Sequence, residues 1–197
     1  MEPQPVERVE SEEDLVRRAR EGDPGAFERI VQTHLGVVWR VVWRILRHRE
    51  DTEDVVQEVF IAAFRALGGY RGECRLTTWL HRIAVTRSLN HLRSTGEKLR
   101  RASRPLEIAT ELSFESPDGV ELRSPLVALE TKELLQRLAG CLEELPALWR
   151  TAVALRDGEE MSYEEMADVL GVAVGTVRSR LARARVALRD CIRGTGS

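Results

Sequence analysis

The stretch Tyr163-Glu164-Glu165-Met166-Ala167-Asp168-Val169-Leu170-Gly171-Val172-Ala173-Val174-Gly175-Thr176-Val177-Arg178-Ser179-Arg180-Leu181-Ala182-Arg183-Ala184-Arg185 reads as two helices joined by a tight turn. Ser162 and Glu165 form an S-x-x-E capping box, so a helix starts at Tyr163. Ala167 is small where two helices cross closely, and Gly171 supplies the turn with a residue free of Cβ strain. Val177 and Leu181 pack the second helix back onto the first. Arg178, Arg180, Arg183 and Arg185 then point outward, as a helix entering a DNA major groove requires. An arginine-rich helix alone is commonly just a solvated basic face. The accompanying Ala, Gly and Val spacing makes DNA the better reading.

The remaining 174 or so residues (a rough count) leave room for one more small folded unit. The chain has 197 residues, 43% hydrophobic and 31% charged, with Leu, Ala, Arg and Glu dominant and little strict alternation. That composition predicts an all-α protein. The net charge is -2, which rules out a generally DNA-coating polycation, but the charges are segregated. Residues 2–14 carry Glu2, Glu7, Glu10, Glu12, Glu13 and Asp14 against Arg8. From Arg82 to Arg104 the sign reverses, with Arg87, Arg93, Lys98, Arg100 and Arg101 between them and Glu97 opposed. Residues 107–121 are acidic again, and the last helix is basic. Two basic surfaces separated by an acidic linker fit two DNA contacts.

Helix signals recur along the chain. Ser11 caps a first helix to about Arg20, and Gly22-Asp23-Pro24 breaks it and starts another. Apolar residues then recur at helical spacing from Phe27 to Ile45, with Trp39 and Trp43 four apart as packing residues. Acids Glu50 to Asp54 open a third helix that runs to about Leu67. A glycine-rich loop, Gly68-Gly69-Tyr70-Arg71-Gly72, precedes a long helix from Trp79 to about Ser94, capped by Thr77 or Thr78. These elements predict two small helical domains: residues 1–96, a linker over 97–124, and 125–197 with the helix-turn-helix. In the second domain helices are expected at about 125–143, 146–156, 163–170 and 174–192.

Cys74, Cys141 and Cys191 are widely spaced and form no C-x-x-C pair, so reduced thiols are expected, and neither zinc nor a disulfide framework. His34, His48, His81 and His91 lack metal-ligand spacing. There is no P-loop of the G-x-x-x-x-G-K-S/T type and no G-x-S-x-G elbow. No metal, cofactor, small-molecule substrate or catalytic constellation is expected. The acidic N-terminus lacks a signal-peptide core and no apolar run reaches membrane-spanning length, so a cytoplasmic protein is expected.

The order of motifs resembles the extracytoplasmic function (ECF) group of bacterial RNA polymerase sigma factors. The resemblance rests on Asp54-Val55-Val56-Gln57-Glu58-Val59-Phe60, Tyr70-Arg71-Gly72 and Thr78-Trp79-Leu80-His81-Arg82-Ile83-Ala84 in the first domain. In the second it rests on Leu145-Pro146, Ser162-Tyr163-Glu164-Glu165 and Gly175-Thr176-Val177-Arg178-Ser179-Arg180. It implies a first domain that docks on core RNA polymerase and reads the minus-ten promoter element, and a second that reads the minus-thirty-five element. Asp54, Gln57 and Glu58 lie at i, i+3 and i+4, one polar helix face, and the resemblance makes that face the polymerase contact. Tyr70, Arg71, Arg75, Trp79, Arg82, Thr86 and Arg87 become the minus-ten residues, serving an extruded base and its phosphates. By residue type alone Trp79 is more often a core anchor. Thr86 departs from the asparagine of several relatives, which bears on the base selected. Thr176, Arg178, Ser179, Arg180 and Arg183 become the minus-thirty-five residues, with Ala182 where some relatives carry an aromatic. Leu145–Leu155, with Trp149, either packs internally or meets the polymerase. An anti-sigma factor is an expected partner. The alternatives are a helix-turn-helix regulator that does not dock on polymerase and, less well supported, a DNA recombinase.

Overall fold

The computed structural model describes the backbone of residues 10–102 and 125–194, and the side chains of 10–96 and 133–194. Helices α1 (Glu12–Arg20), α2 (Pro24–Leu46), α3 (Arg49–Ala66) and α4 (Leu76–Ala102) form the first group. Helices α5 (Pro125–Glu144), α6 (Ala147–Val153), α7 (Tyr163–Leu170) and α8 (Val174–Ile192) form the second. No strand occurs among the described residues. The residues expected to link the domains fall mostly at 103–124, outside the described residues.

Local chemistry sets most of these boundaries. Ser11 accepts from Asp14 N to cap α1. Asp23 accepts from Gly25 N and Ala26 N while Pro24 occupies the first turn of α2, where no N–H is needed. Ser162 and Glu165 form the full reciprocal box at α7. Gly171 ends that helix at φ +63, in the left-handed region where a side chain would be strained. The cap of α3 is His48, whose ring accepts from Asp51 N, a role that residue type alone does not single out. The start of α4 also differs from expectation. Thr77 and Thr78 lie inside the helix, which begins at Leu76 because Leu76 and Leu80 are fully buried and fix a turn earlier. At its far end α4 passes residue 96 and continues to Ala102. After α6 the chain makes one π-helical turn over Ala154–Gly158, so a single helix over 146–156 is not what forms.

The core follows the two helical periodicities. In α3 the buried residues are Thr52, Val55, Val56, Val59, Phe60 and Ala63, one continuous face. α2 turns Ala26, Ile30, Val38, Val41, Val42 and Ile45 inward and packs against α1, α3 and α4. Each such aliphatic side chain stabilises the fold by about 1.5–3 kcal/mol when fully buried. Trp39 and Trp43 stack at 5.5 Å between ring centroids, as their spacing predicts. In the second group Leu155, Met166, Val177 and Leu181 form the centre.

The two groups are not held apart. α7 lies along α4, and α6 and the π turn lie against α2. Buried residues of both groups belong to one continuous hydrophobic cluster. The cysteines correct a second expectation: Cys141 of α5 and Cys191 of α8 form a disulfide, leaving Cys74 as the free thiol. The two helices pack side by side and bring these Cα atoms to 5.9 Å, within bridging range. A separation of 50 residues carries no sign of that proximity in sequence spacing.

Candidate nucleic-acid interface

Three surfaces are built from the residues the sequence singled out. The first lies on α3. Asp54, Gln57 and Glu58 are all exposed on the face opposite Val55, Val59 and Phe60. That face continues into Ile61, 52% exposed, and Phe64, 55% exposed. Phe64 meets Phe27 of α2 edge-on at 5.0 Å. Sequence reading missed this apolar extension, although Gln57, Ile61 and Phe64 keep the i+4, i+3 step that marks one face. A polar cluster bordered by exposed aromatic and aliphatic groups has the make-up of a protein contact.

The second surface joins the loop before α4 to that helix. Leu67–Gly69 makes a 3-10 turn, closed by Tyr70 N donating to Leu67 O at 3.1 Å. The Tyr70 hydroxyl donates to Cys74 O at 2.6 Å, and its ring lies 5.2 Å from Trp79. Tyr70 and Trp79 are both partly buried, so each braces the loop while keeping one side open. Burial raises the Tyr70 hydroxyl pKa, and Cys74, Glu12 and Glu13 nearby add to it. Arg75, just before α4, and Trp79, Arg82 and Thr86 within it step by four, three and four residues and share one stripe. Arg71, Arg75, Arg82, Thr86 and Arg87 are exposed. Thr86 returns its hydroxyl to Arg82 O at 2.8 Å. Arg87 stands off the stripe, toward α3, with Nη1 4.0 Å from Glu58 Oε2. The structure therefore brings six of the seven minus-ten candidates together and places Arg87 between that stripe and the α3 face.

The third surface is α8. Val177 and Leu181 are buried and fix the helix against α7, so Arg178, Ser179 and Arg183 are exposed and Thr176 and Arg180 are half-buried. Arg178 lies over the Tyr163 ring at 5.7 Å, with Arg156 over the same ring at 5.1 Å. Stacking on an aromatic ring narrows the rotamers of a guanidinium before any ligand arrives. Ser179 donates to Thr176 O at 2.9 Å. Arg185 is paired with Asp157 at 3.0 Å and is thereby tied back to the turn before α7.

The helix that supports the third surface, α7, lies against α4. The Ser162 hydrogen bonds hold the Glu165 carboxyl below its ordinary range, and Arg75 adds to the effect from across the seam. Deeper in the seam, Glu159 receives Arg44 and lies 3.9 Å from both Arg40 Nε and His81 Nε2. The Arg47 side chain of the first group, 8% exposed, and buried Arg150 of the second both lie beside Glu143. Arg47 Nε and Nη2 and Arg150 Nε have no hydrogen-bond partner. Burial lowers the pKa of each guanidinium, Arg47 lowers that of Arg150 further, and Glu143 opposes both shifts.

Among the described residues no group of His, Cys, Asp and Glu could hold a metal ion, and no helix is long and apolar enough to cross a membrane. What the geometry defines is a helical protein with one exposed polar face on α3 and two arginine-bearing surfaces, one at the start of α4 and one on α8. Comparison with known proteins gives the family. Residues 30–97 match the family described as Sigma-70 region 2, and residues 135–188 match Sigma-70, region 4. The chain is 36% identical over 181 residues to the RNA polymerase sigma-H factor of Pseudomonas aeruginosa, covering 91% of this chain and 92% of that protein. It is 39% identical over 175 residues to the ECF RNA polymerase sigma-E factor of Escherichia coli, covering 88% and 90%. The fold is similar to CnrH in its complex with the cytosolic domain of CnrY, with a TM-score of 0.61, 25% identity and coverage of 92% and 97%. It is also similar to the sigma factor RpoE of Bartonella quintana in complex with the anti-sigma factor NepR, with a TM-score of 0.66, 22% identity and coverage of 85% and 96%. The chain belongs to the ECF sigma factors, with a region 2 followed by a region 4.

Proposed function

We propose that this sigma factor docks on core RNA polymerase through Asp54, Gln57 and Glu58 and carries it to promoters through two DNA contacts. Tyr70, Arg71, Arg75, Trp79, Arg82, Thr86 and Arg87 serve the minus-ten element within a unit spanning residues 1–96. Thr176, Arg178, Ser179, Arg180 and Arg183 serve the minus-thirty-five element within 125–197. The observation that carries the reading is the exposure of these groups on separate helices whose opposite faces form the core. An arginine paired with a guanine edge is worth roughly 1–3 kcal/mol of discrimination, which suits Arg178 and Arg183. Arg71, Arg75 and Arg82 suit the phosphates of separating strands.

Each footprint is small. Held on one polymerase, the second contact becomes intramolecular and overall avidity rises without any new interaction. The protein performs no covalent chemistry and acts in the cytoplasm. An anti-sigma factor covers the Asp54–Phe60 face or α8, since these must be blocked to silence the protein.

The test is transcription by core polymerase from a genomic template library with the full chain added. Promoter-selective initiation is expected. Asp54→Lys with Glu58→Lys abolishes polymerase binding, while Arg178→Ala with Arg183→Ala keeps it and loses selectivity. Specific, tight promoter binding by the chain without polymerase would instead favour a regulator that does not dock.

A further inference from the structure

The Cys141–Cys191 bond ties the last turn of α5 to the last turn of α8. It does so where apolar packing is thin. Buried Ala139, Cys141, Leu145 and Ala184 lie outside the continuous cluster that unites the other buried apolar residues. Further up α5, Leu134 is 52% exposed and Leu135 41%.

The two halves of α8 are held by different means. Val177, Leu181 and Ala184 are buried and seat the first half on the core. From Arg185 to Ile192 every residue is exposed or half-buried, so the disulfide is the strongest hold on that end. Its anchor is firm. Arg150 donates to Leu142 O at 3.4 Å and to Glu143 O at 2.8 Å, which fixes the turn of α5 that carries Cys141.

Such a bond is not permanent in every compartment. Cytoplasmic reductants keep most cysteines as thiols, and disulfides that form there are usually transient. Exchange also needs access, and the two sulfurs differ in it. Cys141 is 4% exposed, whereas Cys191 is half-buried and one residue from the end of its helix. The reduced state has its own place in the same geometry, since Glu144 Oε2 lies 3.8 Å from Cys191 Sγ and can accept from the thiol.

We propose that Cys141 and Cys191 form a thiol–disulfide switch in which oxidation fastens the far end of α8 to α5 and reduction releases it. The inference rests on the reading of α8 as the minus-thirty-five contact. Fastened at both ends, the helix presents Arg183 in one direction. Released, its second half must be ordered again on DNA, which weakens the contact.

Both directions balance. With a peroxide as oxidant, the Cys191 sulfur attacks one oxygen, the O–O bond breaks, and water leaves as Cys191 becomes a sulfenic acid. The Cys141 sulfur then attacks Cys191 Sγ, the S–S bond forms, and the S–O oxygen leaves as a second water carrying the Cys141 proton. Two thiols are oxidised and one peroxide is reduced. In the other direction a thiol such as glutathione attacks Cys191 Sγ and releases Cys141, which takes a proton. A second glutathione resolves the mixed disulfide, so Cys191 regains its thiol and oxidised glutathione departs.

The experiment equilibrates the full chain in glutathione buffers of graded reduced-to-oxidised ratio. Free thiols are counted by alkylation, and amide exchange is followed along α8 well below the melting temperature of either form. The same samples, joined to core polymerase, transcribe a promoter that the chain selects. As the buffer becomes reducing, two thiols appear together, amides of 185–192 exchange faster than before, and those of 177–184 do not. Initiation falls roughly threefold. Peroxide, added and then removed, restores each reading. Cys74→Ser keeps the response. Cys141→Ser with Cys191→Ser behaves as the reduced chain in every buffer, which separates this response from any of the polymerase itself. A bond that survives excess reduced glutathione is a static brace and overturns the inference. Reduction that leaves both amide exchange and initiation unaltered overturns it as well, while the minus-thirty-five reading stands. If no template is transcribed in either state, the functional reading falls, and thiol counts with amide exchange decide the switch by the same two outcomes.

Discussion

Arg44 of α2 binds the carboxylate of Glu159, 115 residues further on, and so joins the first helical group to the second. The carboxylate is nearly enclosed, with its side chain 8% exposed. Gly158 makes room for the contact, since an added Cβ would sit 2.5 Å from Arg44 Nη1. Arg40 and His81 complete the surroundings of Glu159 at 3.9 Å each.

Glu159→Gln leaves Arg44 and Arg40 facing a neutral amide in a partly buried seam. Losing a charged partner there costs about 1–3 kcal/mol. The variant melts at lower temperature and, in small-angle scattering, has a larger radius of gyration than the wild-type chain. Gly158→Ala reproduces the larger radius by pushing the guanidinium aside. An unchanged radius in both variants would mean that the apolar contacts of α4 with α7 hold the seam without this pair.

His81 is buried in the same seam with neither ring nitrogen hydrogen-bonded. Burial first, then His34 and Arg40, hold its pKa down to about 4, against an ordinary value of 6.5. Glu159, at 3.9 Å and already engaged with Arg44, does not offset this. The unfolded chain therefore binds a proton that the folded chain refuses. Stability is unaffected by His81 above pH 6.5 and falls as the pH drops from there toward 4, by about 1.4 kcal/mol per pH unit at most. Urea titrations at pH 7.5, 6 and 5 measure the slope. His81→Gln, neutral throughout, flattens it over this window.

The Cys141–Cys191 disulfide closes a loop of 50 residues around α6, α7 and most of α8. Chain-entropy reasoning assigns a loop of that size about 4 kcal/mol of stabilisation. Dithiothreitol therefore lowers the melting temperature of the wild-type chain. Cys141→Ser with Cys191→Ser melts at the reduced value and ignores the reductant. A wild-type melting curve that dithiothreitol does not move would sink this account.

Ser162→Ala removes the acceptor for Glu165 N and half of the capping box. The loss is about 1 kcal/mol, read by chemical denaturation. Glu165→Gln costs less, since its amide oxygen can still accept from Ser162 N, as the carboxylate now does at 2.8 Å.

Local chemistry was legible in the sequence wherever one residue answers another within a turn or two. Ser11, the Asp23–Pro24 pair, the Ser162–Glu165 box and left-handed Gly171 all behave as their spacing predicts. So does the burial of Val177 and Leu181, which leaves Arg178 and Arg183 at the surface. Long-range chemistry was not legible. Nothing in the neighbourhood of Arg44 names Glu159, and nothing around Cys141 names Cys191. No local spacing marks Arg150, which is buried and donates to the carbonyls of Leu142 and Glu143 at the end of α5. The start of α4 was misplaced for a related reason. A threonine cap is a local signal, and the burial of Leu76 against the rest of the core overrides it.

Arg47 and Arg150 give the closed arrangement a built-in opposing force. Two like charges share one carboxylate, and Arg47 Nε and Nη2 and Arg150 Nε are buried there without a hydrogen-bond partner. Parting the helical groups would rehydrate both guanidiniums, so part of the work of separating them is returned by the separated state.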